Sequence, residues 1–259
     1  MKSINKTVVK LGLLLLIFSF PIIGSTQVNK VDDQGRKQGE WVKYYKNRTV
    51  PRYKGQFVND KPVGKFTYYY ASNDVRSIVI HDKNSNRSEA FFYHDNETLM
   101  AHGIFIGQKK DSVWTNYLPT GHISFKETYS NGELNGLKTT YYGPDVAKKG
   151  QKIVLRKALY KEGRLNGKFT EYFPYGTLKA KGIYKDGKYE GVIIKNHPNG
   201  KPMLKERWKS REKHGWWITY DKSGKEIGRA YFLHGDRMEG KKLDEYMQEL
   251  KKKGISPNK

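Results

Sequence analysis

Seven histidines, a scatter of carboxylates and a surplus of lysine are the residues of this 259-residue chain that could do chemistry. The histidines are His81, His94, His102, His122, His197, His214 and His234, and no two stand four apart, the spacing that sets two imidazoles on one helix face for a metal. There is no cysteine, hence no disulfide, no thiolate-held metal and no thiol nucleophile. The run Gly182-Ile183-Tyr184-Lys185-Asp186-Gly187-Lys188 fits most of a phosphate-loop pattern, but Tyr189 stands where a magnesium-binding Ser or Thr belongs. The run also reads as a strand and turn, not as the strand-to-helix loop that the motif requires. No Gly-x-Ser-x-Gly elbow occurs, and no two carboxylates form an evident acid–base pair. The expectation is therefore a protein that is not an enzyme, with no catalytic residue, metal or cofactor. The one catalytic alternative is a site assembled around His81, His94 and His102.

Charge is the stronger signal. Lys and Arg number 49 against 26 Asp and Glu, a formal net charge of +23, far above the magnitude of about 2–8 that solubility asks of a small domain. The densest stretch supplies a candidate interaction surface: Lys152, Arg156, Lys179, Lys181, Lys201, Lys205, Arg207, Lys209 and Arg211. Such a surface attracts an anionic partner: an acidic protein, an anionic lipid headgroup or an acidic glycan. Nucleic acid is a weaker candidate if the chain is exported. Export is what the first 26 residues predict. Lys2, Lys6 and Lys10 precede an apolar run from Leu11 to Ile23, and Gly24, Ser25 and Thr26 suit a cleavage site. The run falls short of the roughly 20 residues that span a bilayer. The expected location is the periplasm, the outer-membrane surface or the exterior.

The elements that position these side chains are repeats. A small residue opens an aromatic strand at Gly39, Gly64, Ser88, Ser112, Gly136, Gly167, Gly191 and Gly215, at intervals of 25, 24, 24, 24, 31, 24 and 24. Two residues after each anchor stand Trp41, Phe66, Ala90, Trp114, Lys138, Phe169, Ile193 and Trp217. Five after it stand Tyr44, Tyr69, Tyr93, Tyr117, Tyr141, Tyr172, Asn196 and Tyr220. Seven before the next anchor come Phe57, His81, Phe105, Tyr129, Tyr160, Tyr184 and Trp208. Asn131-Gly132, Glu162-Gly163 and Asp186-Gly187 supply the positive φ angles of tight hairpin turns. Each unit thus reads as a β-hairpin. A lone hairpin cannot bury its rings, whereas a stack of them can. The residues two and five after the anchor differ in parity, so either both sheet faces carry aromatics or a bulge lies between them.

The expected architecture is all-β: an elongated single-layer array of about eight hairpin repeats over residues 27–240, with a half-unit at Val28–Val31. A short amphipathic helix and basic tail follow over 241–259. Leu243, Tyr246, Met247 and Leu250 share one helix face, and Gly254 suits the C-cap. That helix is expected to cap the last hairpin.

The pattern Gly-x-Trp/Phe-x-x-Tyr-Tyr, followed by Tyr-x-x-Gly-x-x-x-Gly as in Tyr160–Gly167 and Tyr184–Gly191, resembles the MORN repeat. It is most similar to the branch found in exported bacterial proteins, often labelled antitoxin-like. The resemblance covers about residues 35–240, and Ser88, Ser112, Ala90 and His81 depart from it. It implies a sheet of hairpins and roles in protein contact, scaffolding or anionic lipid binding, with no shared catalytic residues. The expected function is a protein-interaction scaffold that uses a basic, aromatic sheet face. The alternative is a binder of anionic lipid or glycan at the cell envelope.

Overall fold

The computed structural model describes residues 27–148 and 150–258. The signal-peptide reading of residues 1–26 lies outside the described residues. Nineteen strands and one helix follow in order. The first nine are β1 (Lys30–Val31), β2 (Lys37–Tyr44), β3 (Pro51–Val58), β4 (Lys61–Tyr69), β5 (Val75–His81), β6 (Arg87–Tyr93), β7 (Leu99–Ile106), β8 (Lys109–Tyr117) and β9 (Ile123–Ser130). Then come β10 (Glu133–Tyr141), β11 (Val154–Lys161), β12 (Arg164–Tyr172), β13 (Leu178–Lys185), β14 (Lys188–Asn196) and β15 (Pro202–Lys209). The last are β16 (Glu212–Lys213), β17 (Gly215–Tyr220), β18 (Glu226–Leu233), β19 (Asp236–Met238) and helix α1 (Gly240–Lys252). Neighbours in sequence pair antiparallel, except that β16 and β17 both pair with β15, so the chain forms one open sheet of hairpins.

The anchors explain themselves in the registers. Between β3 and β4 the pairing jumps from Lys54↔Thr67 to Gln56↔Val63, so the early strand carries two extra residues at Gly64, whose φ is +66°. The same jump occurs at Gly136, Gly167 and Gly191. A left-handed residue is needed there, which favours glycine. Ser112 adopts it at φ 58°, but Ser88 does not, and β5–β6 pair without a shift. That hairpin is the one that departs from the repeat.

A second shift precedes each residue five after the anchor, as between Lys43↔Tyr53 and Tyr44↔Pro51. The extra residue sits on the late strand. The early strand therefore keeps its alternation, and both faces carry aromatics. One face, here the ring face, holds Phe66, Trp114, Phe169 and Ile193 over small residues of the preceding strand. A Cβ on Gly103 would collide with the Trp114 ring, and one on Gly55 with Phe66. Edge-on and tilted ring contacts run along this face, such as Phe57–Phe66 at 5.2 Å and Phe105–Trp114 at 4.9 Å. Each buried ring contributes roughly 1.5–3 kcal/mol.

The strand ends are stitched by the residue six after the anchor. The Tyr45 hydroxyl donates to the Tyr69 carbonyl at 2.7 Å, and the Tyr142 hydroxyl to the Tyr172 carbonyl at 2.9 Å. On the opposite face, the open face, α1 and the tail cover the last hairpin. Tyr246 packs on Tyr231, whose hydroxyl donates to the Pro257 carbonyl at 2.9 Å. Leu243, Tyr246, Met247 and Leu250 are the shielded positions of α1 from Lys241 to Leu250, as their spacing predicts.

Candidate functional site

The histidines resolve into repeat positions. His94 and His197 take the stitching column, with Nε2 3.1 Å from the Tyr117 carbonyl and 2.9 Å from the Tyr220 carbonyl. A carbonyl only accepts, so each imidazole donates as the tyrosine hydroxyls do. His81 lies on the ring face edge-on to Phe66, with Nδ1 2.9 Å from the Ser88 hydroxyl, and burial pushes its pKa below the ordinary 6.5. His102 lies on the open face, stacked on Phe91 and 2.9 Å from the Glu89 carboxylate. His81, His94 and His102 therefore do not converge. Among the described residues no three His, Asp or Glu side chains are placed to hold a metal.

The cations divide between the faces. On the ring face they are engaged. Lys138 pairs with Glu127 at 2.7 Å, Arg156 with Glu171 at 3.4 Å and Lys195 with Glu206 at 2.6 Å. Lys37, Lys110 and Lys213 sit over the rings of Trp41, Trp114 and Trp217 at 4.5–5.0 Å. The expected basic surface is corrected here at Arg156, which belongs to the ring face, where its guanidinium also donates to the Tyr184 hydroxyl at 3.2 Å.

Four of the nine predicted residues do share the open face: Lys181 on β13, and Lys205, Arg207 and Lys209 on β15. Lys179 is the bulge residue of β13, its ammonium 6.0 Å from the centre of the Phe173 ring. Arg207 is partly engaged, donating to the Asn258 carbonyl at 3.4 Å. Lys152 is exposed in the inserted loop before β11, Lys201 donates to the Ser223 carbonyl from a turn, and Arg211 holds a turn at φ 75°. The sequence reading passes over Lys126. It belongs to the column ten residues before the next anchor, with Lys54, Ile78, His102, Lys157, Lys181 and Lys205. Extending the anchor arithmetic by one more column would have found it.

The registers place that column in one cross-strand row: Lys126↔Thr139, Thr139↔Lys157, Lys157↔Thr170, Thr170↔Lys181, Lys181↔Ile194 and Ile194↔Lys205. Half-buried Tyr117, Tyr141 and Tyr172 flank the row on one side, and exposed Leu137, Leu159 and Ile183 on the other. No carboxylate stands in the lysine row between β9 and β15, and Glu190 faces Ile183 in the row beside it. Among the described residues, Lys126, Lys157, Lys181 and Lys205 are in no ion pair, unlike the cations of the ring face.

Comparison with known proteins adds little. No family model matches the chain, so none identifies it as a MORN-repeat protein, and no curated protein matches it. Among solved structures, a mutant of S. aureus TarM in complex with Fondaparinux, alpha-GlcNAc-glycerol and UDP matches at 10% identity and a TM-score of 0.25. The match covers 51% of this chain and 20% of that one. A second TarM structure matches at 10% identity and the same TM-score over 19% of its length. This chain thus spans about a fifth of the structures that it matches. The expectation of a protein that is not an enzyme is corrected, because the matched structures are those of a glycosyltransferase. So distant a likeness brings no activity to this chain. No helix among the described residues is long and apolar enough to cross a membrane.

Proposed function

We propose that this chain binds an anionic partner through the open face of its sheet, over β9–β15. One observation carries this reading: Lys126, Lys157, Lys181 and Lys205 stand on alternate strands of one central cross-strand row of that face, and no carboxylate stands in that row. Each uncompensated lysine raises the local potential, and the concentration of a bound anion with it. The partner class is an anionic lipid surface or an acidic glycan. The exposed Leu137, Leu159 and Ile183 favour a second reading, docking of a protein. Salt separates the two, because exposed charge contacts are screened within about 8 Å at physiological ionic strength. Binding of the full chain to immobilised heparin and to phosphatidylglycerol vesicles, followed from low to high salt, tests the proposal. Retention lost at high salt supports it; no retention on either at low salt overturns it. The second reading requires a partner that stays bound at high salt.

We also propose export, on the strength of Lys2, Lys6, Lys10 and the run from Leu11 to Ile23. Finding the intact amino terminus in the cytosolic fraction, and nowhere else, would defeat it.

A further inference from the structure

We infer that the open face holds an extended acidic polysaccharide laid across the strands, with one acid group per disaccharide meeting one lysine per hairpin. The inference rests on the anionic-partner reading above and goes beyond it in naming the polymer and its direction.

Four observations carry it. Lys126, Lys157, Lys181 and Lys205 lie on alternate strands of one unbroken cross-strand row. Neighbouring strands are about 4.8 Å apart, so successive lysines recur at about 9.5 Å and the four span about 29 Å. An extended chain of pyranose rings repeats its disaccharide over a similar length. Secondly, a threonine lies between each pair of the first three lysines; Thr139 is buried, and Thr170, between Lys157 and Lys181, is the one whose hydroxyl reaches the surface. A sugar polymer carries hydroxyls between its acid groups, whereas a fluid lipid surface has no fixed spacing to match. Thirdly, Tyr141 and Tyr172 run beside the row on β10 and β12, where a ring face can meet the apolar face of a sugar. Finally, the row has ends. His102 stands 2.9 Å from the Glu89 carboxylate on one side, and α1 with the tail covers the open face of β17–β18 on the other.

The experiment is calorimetric titration of the full chain, at low salt, with hyaluronan fragments, which carry one carboxylate per disaccharide. Affinity should climb from tetrasaccharide to octasaccharide, where four carboxylates meet four lysines, and then level. The variant Lys157→Ala/Lys181→Ala/Lys205→Ala should lose at least about tenfold, a difference in binding free energy of about 1.4 kcal/mol. The control Lys185→Ala/Lys188→Ala/Lys209→Ala removes the same charge from the turn end of the same face and should lose less than about a third as much affinity. Far-ultraviolet circular dichroism checks that both variants fold. Equal losses in the two variants overturn the row while leaving charge-driven binding intact. Binding to phosphatidylglycerol vesicles without binding to hyaluronan overturns the polysaccharide. Failure of hyaluronan, heparin and vesicles alike overturns the anionic-partner reading and this inference with it.

Discussion

The same cross-strand row reads differently in the two halves of the sheet. From β3 to β7 it runs Lys54, Thr67, Ile78, Phe91, His102, and its histidine lies 2.9 Å from the Glu89 carboxylate. From β9 to β15 it runs Lys126, Thr139, Lys157, Thr170, Lys181, Ile194, Lys205. Both halves build antiparallel hairpins on the same ring face. A hairpin therefore accepts isoleucine or histidine where the second half has lysine. The lysines are not what the fold requires, and this is the physical reason to assign them to binding.

The comparison stands only if the ring face is equally necessary in both halves. Trp114 is 1% exposed, over Gly103, and Phe169 is 2% exposed, beside Ala158 and Ala180. Trp114→Ala and Phe169→Ala should each cost about 3–5 kcal/mol in urea unfolding, as ring deletions in packed cores do. A large loss in one half alone would mean that the halves do not share a core.

The next effect in size belongs to the second half. Glu206 is 3% exposed and takes the slot that Gly103 occupies under Trp114. It accepts from Lys195 at 2.6 Å and from the Trp208 indole at 3.1 Å. Glu206→Ala leaves both donors unpaired, but Lys195 is about a third exposed and finds water. The expected loss is about 1–3 kcal/mol. Glu206→Ala/Lys195→Met should recover part of it. No recovery would mean that the pair is not what fills the slot.

How much of this was legible in the sequence follows from the length of the signal. Eight anchors, six of them glycine, recur with ring columns in register and with turn residues between them, so strand order and turns could be read from spacing, and the capping helix from its apolar stripe. The division of cations between faces could not. Arg156 and Lys157 are neighbours in sequence and lie on opposite faces, and which one is free depends on Glu171 across the strand. The parity question was visible, but its answer, a bulge on the partner strand, lies in pairing rather than in sequence. His94 and His197 were legible as repeat positions, though their acceptor is a carbonyl of the next unit.

Acid and alkali should act on different places. His81 takes a ring column in the first half, and burial holds its pKa below 6.5. Its folded value lies below the unfolded one, so its contribution is present above pH 6.5 and is lost as pH falls through the folded value. Tyr184 in the second half is pushed up to about 12, chiefly by burial and then by its neighbour Tyr189. Its contribution is present below pH 10 and is lost as pH rises toward 12. His81→Phe should flatten the acid limb of the urea midpoint against pH, and Tyr184→Phe the alkaline limb. The comparison fails here if each substitution leaves its own limb unchanged.

The smallest expected effect tests the comparison most directly. Lys181→Ile gives the second half the residue that the first half carries at Ile78, in the same register position on the same face. Lys181 is exposed, pairs with no acid among the described residues and faces Thr170 and Ile194 across the strands. A β-branched side chain suits that position at least as well as lysine does. The change in unfolding free energy should stay within about 0.5 kcal/mol, as for surface positions free of caps, cores and networks. A loss above about 2 kcal/mol would mean that the lysine stem packs into the sheet, and the row would then be part of the fold. Unchanged stability together with weakened hyaluronan binding would separate the two roles in one residue, because the fold would be indifferent to a charge on which the ligand depends.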